Sequence, residues 1–155
     1  MNAKKTLIFK ILSMVFIVIA IVLEALPYGV KLNFVAEGQD TIWRSYSYFD
    51  ITPFGYGSFT PLITAVLTVL LAAASVVLLI IKRNIPTLNR TLFIVEIITA
   101  IISVCPALYG LDYVTPVGCF ITVTLAVSAV FCLFANILSI QDKNVPADKS
   151  YAAVN

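Results

Sequence analysis

Four long apolar runs dominate the chain, at roughly Leu7 to Leu26, Phe59 to Ile81, Leu92 to Tyr109 and Val117 to Ile140. Each is near the ~20 residues that a helix needs to cross a hydrocarbon core. Apolar residues lie all round each run, as expected where lipid is the solvent. Polar links separate them. Residues 27–58 make the longest, 82–91 and 110–116 are short, and 141–155 form a polar tail. The short links force the second, third and fourth spans to be antiparallel neighbours. The pattern predicts an all-α membrane protein, a single four-helix bundle over residues 1–155. Pro106 is expected to kink or end the third span near its far end.

The long link carries a different pattern. Val30 to Ala36 alternates in part, Glu37-Gly38-Gln39-Asp40 supplies turn chemistry, and Thr41 to Ile51 is rich in β-branched and aromatic residues. This reads as a β-hairpin. Alternation places Trp43, Ser45, Ser47 and Phe49 on one face. Ile42, Arg44, Tyr46, Tyr48 and Asp50 line the other.

Composition supports the membrane reading: 61% of residues are hydrophobic and 12% charged. Soluble domains carry about 25% charged residues. The net charge of +2 forms no basic face, so no nucleic-acid partner is expected. The positions of the charges say more than their sum. Lys4, Lys5, Lys10, Lys82, Arg83, Arg90, Lys143 and Lys149 all fall on one side of a four-span topology, and only Lys31 and Arg44 on the other. Positive-inside bias then places both termini in the cytoplasm and the hairpin outside the cell membrane. The first run has the basic start of a signal peptide, but its length favours a span. Asn89-Arg90-Thr91 matches a glycosylation sequon on the expected cytoplasmic side and is read as chance.

The layout is similar to that of claudin-like tetraspan proteins, with four helices, both ends inside and a larger β-containing first outer loop. Their hallmark is a Trp followed by Gly-Leu-Trp and two Cys in that loop. Here Trp43 stands alone and the loop has no Cys. The resemblance implies topology and does not extend to junction or barrier function.

Candidate chemistry is sparse. The chain has no His, and no nucleophile elbow, P-loop or dinucleotide fingerprint appears. No enzyme activity, cofactor or metal is expected. Ionisable groups inside spans are functional candidates by default. Lys10, Glu96 and Asn136 fall at similar depth and form a candidate polar cluster. It would serve as helix glue, through snorkelling, or as a proton or cation relay. Small polar residues recur at helical spacing, as in Thr64 and Thr68, Thr99 and Ser103, Thr124 and Ser128, or Ser13, Ala20 and Glu24. Such stripes should face the bundle interior.

In the outer loop Trp43, Tyr46 and Tyr48 are candidate recognition residues, although an interfacial aromatic belt accounts for them too. Gly55-Tyr56-Gly57 resembles part of a potassium-channel filter. Pro53 and Phe54 precede it where the filter has Thr-Val, and turn chemistry explains the glycines. Cys105 and Cys119 lie near the ends of adjacent spans, where a disulfide is conceivable. The expected role is that of an accessory or interaction protein with a membrane-protein partner or a second copy of itself. The alternative is a small channel or transporter subunit using the polar stripes and the Gly-Tyr-Gly loop.

Overall fold

The computed structural model describes residues 2–34, 42–51, 58–81 and 86–143. In chain order the elements are α1 (Asn2–Glu24), β1 (Val30–Phe34), β2 (Ile42–Tyr46), α2 (Thr60–Ile81), α3 (Pro86–Ser103), α4 (Cys105–Leu108), a 3-10 turn (Leu111–Tyr113) and α5 (Pro116–Lys143). Four helical segments are long and apolar enough to cross a membrane, with α3 and α4 together making the third. In lipid every backbone polar group must be satisfied within the element, which a helix does.

The helices close a ring in which α1 packs most extensively on α5, and α3 lies between α5 and α2. Hydrogen bonds along the seams show that neighbours run antiparallel. Ser13 of α1 meets Ser128 of α5, while Gly29, beyond the end of α1, meets Thr115 before α5. On the other seam Asn89 of α3 meets Asn136, and Ser103 meets Thr122. One end of the bundle therefore carries the hairpin and the opposite end the start of α1.

The burial pattern inverts that of a soluble bundle. Ile8, Val22, Leu70, Ile80 and Ile101 are exposed, while Thr64, Thr68, Thr99, Ser128 and both helical glutamates are buried. The polar stripes face inward as their spacing predicts. The apolar exterior suits a hydrocarbon solvent.

Helix ends differ from the apolar boundaries for identifiable reasons. The third helix starts at Pro86 rather than Leu92, because Pro is favoured at a first helical position. It breaks at Val104, and α4 restarts with Pro106 near its N-terminus, as the missing proline N–H requires. Gly110 then turns the chain at φ 139°, a conformation open to glycine and few other residues. α5 begins at Thr115, whose hydroxyl accepts the Gly118 N–H at 2.9 Å, with Pro116 in the first turn. This is an N-cap followed by proline.

β1 and β2 pair antiparallel, with Val30 opposite Tyr46, Leu32 opposite Arg44 and Asn33 opposite Trp43. The second strand runs from Ile42 to Tyr46, and its first four residues are all exposed. Beyond Tyr46 the strand ends, because the Asp50 carboxylate accepts the Ser47 N–H at 2.7 Å and closes a turn. A lone hairpin is marginal in water; this one is docked on the bundle. Val30 bridges Val114, Thr115 donates to the Gly29 carbonyl at 2.8 Å, and the Tyr48 N–H donates to the Glu24 carbonyl at 2.9 Å. Val30 and Tyr48 join Ala20, Ala65, Ile121 and Leu125 in one buried apolar cluster.

Candidate functional site

Two carboxylates are buried inside the bundle, and each is held by a hydroxyl. Glu96 is 2% exposed, and its Oε1 accepts the Ser13 hydroxyl at 3.1 Å. Ser13 in turn lies 3.0 Å from the Ser128 hydroxyl, and Ser128 donates to the Ser13 carbonyl. Three helices thus meet at one carboxylate. Ser128 and Cys132 flank it from α5. Its second oxygen, Oε2, accepts no hydrogen bond among the described residues.

A cavity of about 30 Å³ opens at this point, lined by Lys10, Ser13, Ser75, Glu96, Cys132 and Asn136 among others. That volume has room for about two water molecules. The three residues singled out from depth alone do converge on it, but they do not bond to one another as a cluster. Ser13, one turn along α1 from Lys10 and on the interior face, supplies the hydroxyl to Glu96. The Asn136 amide donates to the Asn89 carbonyl at 3.1 Å and lies 3.9 Å from the Cys132 sulfur. Depth placed the residues on one level. Helix rotation decided which of them touch.

The second carboxylate, Glu24, was visible in the sequence only as part of a stripe. It is fully buried, and its Oε1 accepts the Thr68 hydroxyl at 2.9 Å. Its Oε2 also has no partner among the described residues. Ser13 and Glu24 are eleven positions apart on α1, or about 16 Å at 1.5 Å per residue. Buried Ile17, Ala20, Leu71, Ile121 and Leu125 fill the space between these levels. The bundle therefore holds two separate carboxylate sites, and buried Thr99 and Ser103 of α3 lie between their levels as well.

Thr68→Val should destabilise the protein by about 1–3 kcal/mol, because it leaves a buried carboxyl with no donor. In Glu24→Leu the same Thr68 change should cost much less, since Thr68 also bonds the Thr64 carbonyl. Equal costs of Thr68→Val in the two backgrounds, measured by unfolding in mild detergent, would show that the pair is not coupled.

At the hairpin end the aromatic candidates separate. Tyr48 is 1% exposed. It belongs to the core, which corrects its place in a recognition surface: leaving the strand at Ser47 turns its ring inward against Gly29. Burial, with Glu24 and Cys119 nearby, pushes its phenol up, so the ring stays neutral. Tyr46 is half-buried and packs on Phe34, with ring centroids 6.2 Å apart. Trp43 is 44% exposed and stands edge-on to Tyr113 at 5.5 Å. Gly55, Tyr56 and Gly57 lie outside the described residues.

Cys105, Cys119 and Cys132 are all free thiols, so the span ends are not bridged. Cys119 sits on the exposed face of α5, while Cys105 is half-buried at the start of α4. A larger, mainly apolar cavity of about 250 Å³ lies beside them, lined by Tyr48, Pro106, Thr115, Gly118 and Cys119 among others. No group of metal-ligating residues occurs among the described residues. Comparison with known families, curated proteins and solved structures finds no match for this chain.

Proposed function

We propose that this chain is a non-enzymatic multi-pass protein of the cell membrane, with both termini cytoplasmic, acting as an accessory or interaction protein through its hairpin end. The observation that carries this reading is the state of β2. Ile42, Trp43, Arg44 and Ser45 are exposed on a strand that is fastened to the bundle through Gly29 and Tyr48. An exposed Trp on a preorganised platform loses little entropy on binding and suits a contact hot spot. The partner is a second membrane protein or a second copy of the chain.

A photo-crosslinking residue at position 43 in native membranes should give a discrete adduct. The same residue at exposed Val66 on α2 should give none. Identical adducts from the two positions, or none from position 43, would refute the reading.

The orientation is supported by the basic residues. Exposed Lys4, Lys5 and Arg90 gather at the end opposite the hairpin, the cytoplasmic end by positive-inside bias. In a background without native cysteines, Cys at exposed Ser45 should react with a membrane-impermeant reagent added to intact cells. Cys at exposed Thr87 should react only after lysis. Labelling of both from outside would overturn the four-span topology.

The cavity beside Glu96 favours a second reading, a small channel or transporter subunit. Ion flux into liposomes that is lost in Glu96→Gln would support it.

A further inference from the structure

Glu96 combines features that helix glue does not require. The residue is 2% exposed, and one of its carboxylate oxygens accepts no hydrogen bond among the described residues. It borders a cavity of mixed lining, whose other walls include half-buried Lys10 and Asn136 toward the end opposite the hairpin. Helix glue would use both oxygens on neighbouring helices. Here Ser13 satisfies one, and the other has no partner among the described residues.

We propose that this cavity is a proton-binding site, in which Glu96 exchanges a proton with the aqueous phase at the end opposite the hairpin. On binding, an O–H bond forms at the carboxylate and hydronium becomes water. On release the reverse occurs. No other bond changes.

The walls select the ligand. A metal cation would need a shell of oxygens and would meet the Lys10 ammonium, which already supplies positive charge to the cavity. A proton needs one oxygen and one water, and about 30 Å³ accommodates that. The ionisable neighbours are few. α1 contributes Lys10 and α5 contributes Cys132, whereas the α2 wall is Ser75, Leu78 and Leu79. Among the described residues that line the cavity Lys10 is the one cation, and no second carboxylate is present.

Glu24 provides an internal control. It too has an oxygen with no partner among the described residues, but it does not line this cavity and lies about 16 Å away along α1.

Infrared difference spectroscopy of the full-length protein in lipid bilayers tests the assignment, with pH varied in H2O and D2O. The expected result is a protonated-carboxyl band that disappears as pH rises and shifts in D2O. Glu96→Gln should abolish it and Glu24→Gln should leave it. Lys10→Met should shift the pH at which the band disappears, because Lys10 is the one cation among the described residues that line the cavity. This last variant keeps both carboxyls and does not depend on Glu96→Gln folding. Three results would overturn the proposal: no pH-sensitive carboxyl band, a band that survives in Glu96→Gln, or a band lost at fixed pH on adding sodium or potassium chloride. The first two would return Glu96 to a structural role, and the third would make the ligand a metal cation. None depends on whether Trp43 meets a partner, so this proposal and the interaction reading fail separately.

Discussion

Replacing Tyr48 by Ala should cost the protein about 3–5 kcal/mol, the usual range for emptying a large aromatic site in a packed core. The ring is 1% exposed and belongs to the same cluster as Ala20, Ala65, Ile121 and Leu125. It also covers Gly29, where even a Cβ would come within 2.6 Å of it. Its loss should free the hairpin as well as open a cavity. Proteolysis at Lys31 and Arg44, both exposed on the strands, should accelerate well beyond the change at Lys4. Tyr48→Phe keeps the volume and should cost about 1 kcal/mol or less. Unfolding by denaturant in mild detergent measures both. A Tyr48→Ala protein within 1 kcal/mol of the parent would mean that the hairpin is not anchored here.

Gly118→Ala should destabilise, against the ordinary trend. Alanine is the better helix former by about 1 kcal/mol, and Gly118 lies in the first turn of α5. Its position decides the sign. An added Cβ would lie 2.8 Å from the Gly29 carbonyl oxygen and 3.2 Å from the Thr115 hydroxyl. The first is backbone and cannot swing aside. The second donates the hydrogen bond that fastens Gly29 and accepts the Gly118 N–H that caps α5. Overpacking of this kind costs about 1–3 kcal/mol, and the lost contacts add to it. The net effect expected is a loss of about 1–2 kcal/mol. Alanine substitution at exposed Val123 on the same helix should be close to neutral. A Gly118→Ala protein as stable as the parent would show that α5 and the Gly29 turn can part without penalty.

These two positions also show where local pattern stops being informative. Tyr48 reads as one more residue in an alternating aromatic run, and Gly118 as an unremarked residue at the start of an apolar helix. Both owe their importance to a contact across the fold, between the base of the hairpin and the first turn of α5. Period-two alternation cannot announce that a strand ends at Tyr46, because an aspartate side chain four positions on closes the turn. Glu96 lies at the other extreme. A carboxylate in an apolar run is conspicuous in any sequence, and the i, i+3, i+7 relation to Thr99 and Ser103 correctly turns it inward. Its partner was not legible. Lys10 and Ser13 both lie at the right depth on α1, and the rotation of the helix brings the serine hydroxyl to Oε1.

The strongest properties of the chain follow from solvent preference alone. Runs of about 20 apolar residues require helices long enough to cross a hydrocarbon core, and short polar links require antiparallel neighbours. The stripes of Thr and Ser mark interior faces, and Pro106 interrupts the third span. Each of these rests on interactions within one segment or between a segment and its solvent. The closed ring of four helices, the docking of the hairpin through Gly29 and Tyr48, and the division between the Glu24 and Glu96 sites rest instead on contacts between residues up to 115 positions apart, as between Ser13 and Ser128. Side-chain periodicity gives direction about one axis only. Which hydroxyl meets which carboxylate depends on how four such axes are rotated and shifted against one another, and packing alone sets that.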